Sequence, residues 1–205
     1  MFMDYPTLDD VTTKLPTEPH TALVRIDADV DADYDTKEVA DTARLEACAE
    51  TVRELRDKGY AVVLAGHIKR PKEYLATLST SNLLPALQDV LGLDDHPLFA
   101  YDWEEDDAES MAERLEAGGV GILDNLRFHP GEQANDAAFA KRLAALADIY
   151  VNDAFATCHR DAASITGVTQ HLPSYMGRGL QREVEYLRRA RAIERPTVVI
   201  SGAKI

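Results

Sequence analysis

The chain has 205 residues, 45% of them hydrophobic, enough to bury a full core in one α/β domain with a short tail. Its formal charge of −14, from 36 acidic against 22 basic residues, argues against nucleic acid or an anionic membrane as a partner. No apolar run approaches the roughly eighteen residues of a membrane helix, and the acidic N-terminus lacks the basic-then-apolar order of a secretory signal, so a soluble, cytoplasmic protein is expected.

Residues 1–20 carry Pro6, Pro16 and Pro19 among scattered Asp and Thr and are expected to be an irregular lead-in. Ala22 to Ile26 reads as a buried strand ending at Asp27-Ala28-Asp29, and the Asp-rich run from Val30 to Thr36 as a turn. A helix follows, with Asp41 as N-cap. Leu45, Cys48, Ala49, Val52 and Leu55 recur along it at helical spacing, and Lys58-Gly59 ends it. Arg44 sits in its first turn, off the apolar stripe. Tyr60 to Ala65 is the next strand and runs straight into Gly66-His67-Ile68-Lys69-Arg70-Pro71. Then come a helix from Thr80 to Val90, a short strand from Pro97 to Ala100, a helix from Ala108 to Glu116, and a strand from Val120 to Leu123 that feeds Arg127. An amphipathic helix, Ala137 to Ala147, precedes the strand Ile149 to Val151, whose exit carries Arg160. Gln181 to Ile193 reads as a charged helix, and Thr197 to Ile200 as a last strand ending in Ser201-Gly202-Ala203-Lys204.

Strands alternating with helices, with near-continuous apolar strands, predict a Rossmann-like parallel sheet with helices on both faces, a three-layer αβα arrangement. In such sheets the ligand crevice lies outside the carboxyl ends of the strands. Here those ends carry Asp27, His67 with Arg70, Arg127, Arg160 and Lys204. Cations gathered there suit a small polyanion, because arginine forks match phosphate or carboxylate and each charge-assisted bond contributes ~1.5–3 kcal/mol. Surface pairing with neighbouring carboxylates would account for one such residue, but not for a set collected at strand exits.

Other signals are weaker. Gly118-Gly119-Val120-Gly121 precedes a strand instead of following one and reads as a turn, and the absence of a Gly-x-Gly-x-x-Gly after a strand disfavours a dinucleotide dehydrogenase. His20, His96 and His171 are expected to be solvated, His129 to order the turn at Pro130-Gly131, and Arg188, Arg189 and Arg191 to form a solvated helix face. Cys48 and Cys158 lack metal-ligand spacing and read as small buried hydrophobes; no metal site is expected. Abundant aspartate, with arginine used more than lysine, suits a halophile surface, although an ordinary acidic cytosolic enzyme fits as well.

Seven segments resemble phosphoglycerate kinase, specifically its N-terminal, phosphoglycerate-binding half, from about Leu23 to the end. VRIDAD at 24–29 is similar to the family's V-R-x-D-F-N, ARL at 43–45 to T-R-I, and GHIKRP at 66–71 to S-H-L-G-R-P. LDNLRFHPGE at 123–132 resembles L-E-N-x-R-F-x-x-G-E, and YVNDAFATCHR at 150–160 resembles Y-V-N-D-A-F-G-x-x-H-R. GRGLQREVEYL at 177–187 is similar to the helix joining the family's two halves, and SGAK at 201–204 to its G-G-A-K turn. The departures are Asp29 for Asn, Lys69 and Ala156 for Gly, Ser201 for the first Gly of the turn, and Ala162 where many members carry a second His. Asp29 exchanges an amide that can donate for an acceptor-only carboxylate. Archaeal members vary at several of these places, and Gly177-Arg178 also resembles that branch.

The resemblance implies reversible phosphoryl transfer between 1,3-bisphosphoglycerate and ADP, giving 3-phosphoglycerate and ATP. It implies that His67, Arg70, Arg127 and Arg160 hold the phosphate, and that Asp27 and Asp29 border the glycerate hydroxyl and carboxylate. Arg44 would meet the carboxyl end and the phosphoryl group in flight, with Lys204 reaching that group from the other side. The family is about twice as long, with Mg-ATP or Mg-ADP held mostly by its C-terminal half. This chain is therefore expected to be the acceptor-binding domain over 21–178, with 179–205 the connecting helix and the start of the nucleotide domain. Alone it is expected to be a monomer, inactive and without cofactor. The alternative is a free-standing phosphoglycerate-binding or anion-binding module that is no longer catalytic.

Overall fold

The computed structural model describes residues 5–11, 20–33, 36, 38–101 and 107–191. In chain order they form β1 (His20–Arg25), a two-stranded antiparallel hairpin of β2 (Asp31–Asp33) and β3 (Glu38–Asp41), α1 (Ala43–Asp57), β4 (Tyr60–Ala65) and α2 (Leu84–Leu91). After these come β5 (Leu98–Ala100), α3 (Asp107–Arg114), β6 (Val120–Leu123), α4 (Pro130–Gln133), α5 (Ala137–Ala145), β7 (Ile149–Asn152), β8 (Ser174–Met176) and α6 (Arg178–Arg191). The main sheet has the order β5-β6-β4-β1-β7-β8, and every pairing in it is parallel.

The apolar strands are apolar because both faces of the sheet are covered. β4 is buried at all six positions. Val24, Val62, Leu64, Ile122 and Val151 pack on one face with Leu45, Val52 and Leu55 of α1 and Leu87 of α2. Leu23, Val63, Leu123 and Tyr150 pack on the other with Met111 of α3 and Phe139 and Leu143 of α5. Each fully buried leucine or valine contributes about 1.5–3 kcal/mol. The expected three-layer α/β architecture is the one observed.

The chain runs outward from β1 through β4 and returns to β7 on β1's other side. A split of this kind leaves a crevice at the carboxyl end of the central strand. β1 ends in Arg25, between Ala65 and Asn152 in register. Topology therefore brings the exits of β1, β4, β6 and β7 together.

Several local expectations differ. The segment read as a turn from Val30 carries the β2–β3 hairpin, in which Ala32 pairs with Val39 and both pack on the core. β8 was not expected, since Ser174-Tyr175-Met176 has no β-branched run; it is a three-residue edge strand, and Met176 also bridges to Thr7. Residues Thr80–Leu83 form a 3-10 turn capped by Ser79 before α2 begins. α6 starts at Arg178, earlier than Gln181, because the Thr51 hydroxyl accepts from the Arg178 amide at 2.7 Å and Asp153 accepts from the Leu180 amide at 2.8 Å. His20 is on β1 and lies 3.4 Å from Asp148, rather than in a solvated loop. Cys48 is buried as expected, but Cys158 is exposed. The expected last strand, Thr197 to Ile200, lies outside the described residues.

Candidate anion-binding site

Arg25 is the last residue of β1 and is 1% exposed. Its Nε donates to Ser164 Oγ at 3.0 Å, one terminal nitrogen donates to the Ile26 carbonyl, and the other lies 2.6 Å from His67 Nδ1. A buried guanidinium needs a counter-charge, because an unpaired charge in a low dielectric is costly. Glu132 on α4 supplies it through Ser164. The Ser164 amide donates to Glu132 Oε2 at 2.9 Å, and the Ser164 hydroxyl to Oε1 at 2.6 Å. Burial pulls the Arg25 guanidinium below its ordinary value while Glu132 pulls it back.

His67 follows β4 and is 4% exposed. Burial first, then the charges of Arg25, Arg127, Arg160 and Arg70, push its pKa down to about 2, so the ring is neutral at neutral pH. Arginine has no acceptor, so Nδ1, facing Arg25, is bare and the proton sits on Nε2. The ring is thus an uncharged donor inside a cationic cluster.

Arg127 is fixed through its backbone. At the exit of β6, Asn125 Oδ1 accepts from the Arg127 amide at 3.1 Å, while Asn125 Nδ2 donates to the Ile68 and Leu78 carbonyls at 2.9 and 3.0 Å. One amide therefore stitches the Arg127 loop to the loop after β4. The Arg127 guanidinium, 7% exposed for the whole residue, donates to the Lys69 carbonyl. Burial, then Arg160, Arg70 and Arg25, lower its pKa without discharging it. Arg160 follows the 3-10 turn Phe155–Thr157 beyond β7, and its Nε is buried with no hydrogen-bond partner among the described residues.

These side chains line a cavity of about 100 Å³ with Arg25, His67, Arg127 and Arg160 on its wall beside Glu132 and Asp161. A water's share of liquid is about 30 Å³, so the space suits a group of a few heavy atoms such as a tetrahedral oxyanion. The structure thus brings together three of the expected residues, His67, Arg127 and Arg160. Arg70 is exposed and off the cavity wall, yet close enough to act on His67 and Arg127. Asp27 accepts from Arg44 at 3.0 Å, and the two line a separate cavity of about 320 Å³ with Phe155, Arg182 and Tyr186. Asp29 accepts from the Lys69 amide at 3.1 Å. Lys69 has φ +53°, a left-handed backbone that costs a residue with a Cβ roughly 1–2 kcal/mol. Lys204 lies outside the described residues.

Arg25, Glu132, Ser164 and Asn125 were not singled out from the sequence. Arg25 sits inside the apolar run ALVRI and was absorbed into a strand, although an arginine in a fully buried strand is itself a signal. Glu132 enters the sequence reading only as the last residue of the segment LDNLRFHPGE, with no role of its own. His129 orders its turn as expected: Nδ1 accepts from the Gly131 amide at 3.0 Å, and the ring stacks on Phe139 at 4.3 Å.

The depressed His67 pKa sets a pH dependence. A histidine that is neutral when folded takes up a proton on unfolding below its unfolded pKa near 6.5. Its contribution is intact above that value and is lost as pH falls toward the folded value of about 2. Asp124 and Asp153, both raised by burial, act in the opposite direction, so the test is a difference. Relative to the wild-type chain, His67→Gln is expected to lose less stability between pH 6.5 and 4 in urea melts, by up to ~1.4 kcal/mol per pH unit. Parallel curves would contradict it.

Among the described residues no three His, Cys, Asp or Glu are placed to hold a metal ion. The cationic wall fits the anionic end of a ligand and does not fit the magnesium of a nucleotide. Among the same residues no helix is long and apolar enough to cross a membrane.

The phosphoglycerate kinase family model matches residues 12–205. The phosphoglycerate kinases of Sinorhizobium fredii and Sinorhizobium medicae are 41% and 43% identical over 99% of this chain and 50% of their own length. The chain therefore spans about half the length of these curated relatives. The crystal structure of phosphoglycerate kinase from Pyrococcus horikoshii superposes with a TM-score of 0.79 at 28% identity, covering 93% of this chain and 47% of that one. The structure of phosphoglycerate kinase from Coxiella burnetii gives 0.77 at 26% identity, covering 91% and 45%. The expected likeness to archaeal members is not supported by the curated relatives above, the Sinorhizobium proteins at 41% and 43% identity. With the family model matching nearly its whole length and the motifs lying in the family's order, the chain belongs to the phosphoglycerate kinase family.

Proposed function

We propose that the protein is a phosphoglycerate kinase, a phosphotransferase of glycolysis and gluconeogenesis, and that these residues are its acceptor-binding half. The observation that carries this reading is the small cavity walled by Arg25, His67, Arg127 and Arg160, with the Arg160 Nε unpartnered. In the proposal Arg127 and Arg160 grip the phosphate of 3-phosphoglycerate, His67 adds its neutral Nε2 donor, and Arg70 closes from the solvent side. Asp27 and Asp29 border the glycerate hydroxyl and carboxylate. Arg44 and Lys204 face the phosphoryl group as it moves. The acceptor-binding domain is taken as 21–178, and 179–205 as the link to a nucleotide-binding part outside these 205 residues. A monomer in the cytoplasm, with an acidic surface suited to high salt, goes with this reading.

Phosphoryl transfer of this kind needs little covalent chemistry from the protein. It is catalysed by positioning and by cations around the equatorial oxygens, which is why a site of arginines without a dedicated base is sufficient. The test is calorimetric titration of the chain with 3-phosphoglycerate and, separately, with glycerate. Binding of the phosphate ester at least about tenfold tighter is expected, from one charge-assisted bond or more. Equal affinities would remove the phosphate from the cavity.

A second reading, an anion-binding module that no longer catalyses, is favoured by the acceptor-only Asp29, which accepts from the amide of Lys69, the residue whose carbonyl holds Arg127. Supplying a relative's C-terminal half in trans separates the two: recovered transfer to ADP supports the kinase, and binding without transfer supports the module.

A further inference from the structure

The backbone of Lys69 is in the region that favours glycine, at φ +53°, yet it carries a lysine. What holds it is visible. Its amide donates to Asp29 Oδ1 at 3.1 Å, its ammonium lies 3.5 Å from the same oxygen, and its carbonyl accepts from the Arg127 guanidinium. Asp29 is in turn anchored, its own amide donating to Asp27 Oδ1 at 3.3 Å. One residue therefore ties a carboxylate on its N-terminal side to the principal cavity arginine on its C-terminal side.

Resting on the anion-site reading above, we propose that Lys69 and Asp29 form a charge-matched latch joined to Arg127, which sets the affinity of the site for a phosphorylated acid. Lys69 is its positioning residue. A carboxylate one residue removed from Arg127, through Lys69, repels an incoming anion, and an ammonium held against it cancels that repulsion. The two substitutions relative to the family pattern are thus one compensated change. The Asp29 side chain is 29% exposed and the Lys69 side chain 53%, so the electrostatic part is screened by salt. The tie from the Lys69 carbonyl to Arg127 is backbone and is not.

The experiment is calorimetric titration of 3-phosphoglycerate into the chain and into Lys69→Gly, Asp29→Asn, the double variant and Arg127→Ala, at about 20 mM and about 1 M KCl. Glycine takes the observed φ without strain, so Lys69→Gly is expected to fold, which a circular dichroism melt checks. At low salt Lys69→Gly is expected to weaken binding about two- to fivefold and Asp29→Asn to tighten it by a similar factor. The double variant returns to within about twofold of the wild-type chain, and the differences vanish at high salt. If Lys69→Gly matches the wild-type chain while Arg127→Ala loses binding, the latch is overturned and the anion site stands. If the wild-type chain does not bind, the anion site falls and the latch with it.

Discussion

Arg127→Ala is expected to cost the chain about 2–5 kcal/mol of affinity for 3-phosphoglycerate, the loss usual when one partner of a desolvated charge pair is removed. The size follows from the setting. Arg127 is buried as a residue, and its guanidinium is crowded by Arg160, Arg70 and Arg25, so an anion in the cavity relieves repulsion as well as forming bonds. The Arg127 amide keeps its bond to Asn125 in the variant, so the loop is expected to hold its course. Arg127→Lys should fall between the two, since a point charge replaces a planar fork but cannot reproduce its two bonds. Calorimetry of the three proteins at one salt concentration gives the series. Equal affinity in all three would move the ligand elsewhere.

Glu132→Ala is expected to destabilise the fold by about 3–5 kcal/mol, lowering Tm by roughly 10 °C. Two buried donors of Ser164 lose their acceptors, and the buried Arg25 loses the carboxylate that offsets its burial. Glu132→Gln keeps the shape but not the charge and should show a smaller loss. Chemical melts measure both. A change within about 0.5 kcal/mol, the range of an ordinary surface substitution, would show that Glu132 does not balance the arginines.

Both effects turn on residues of unequal legibility. Arg127 could be found in the sequence because a strand ends four residues before it, at Leu123, and a turn follows. His67 and Arg160 were found by the same logic. Arg25 and Glu132 were not, because their roles exist only after folding: Arg25 is buried through contacts with residues as distant as Ser164, and Glu132 meets it through that same serine. Periodicity registers the apolar frame and is silent on which polar group is folded into it. Asp27 and Arg44 were placed at a strand exit and a first helical turn, and they lie there, yet they pair with each other in a neighbouring cavity. Distances of that kind depend on strand order, which no local pattern encodes. The β2–β3 hairpin and β8 were missed for a simpler reason: each is short, lies outside the central strands and lacks a β-branched run.

The phosphate of the acceptor is proposed to lie in the cavity at the exits of β1, β4, β6 and β7, and a crystal structure of the chain with 3-phosphoglycerate tests this most directly. Phosphate oxygens are expected within about 2.7–2.9 Å of guanidinium nitrogens of both Arg127 and Arg160. A phosphate in the cavity of Arg44 and Arg182, with Arg127 and Arg160 untouched, would contradict it.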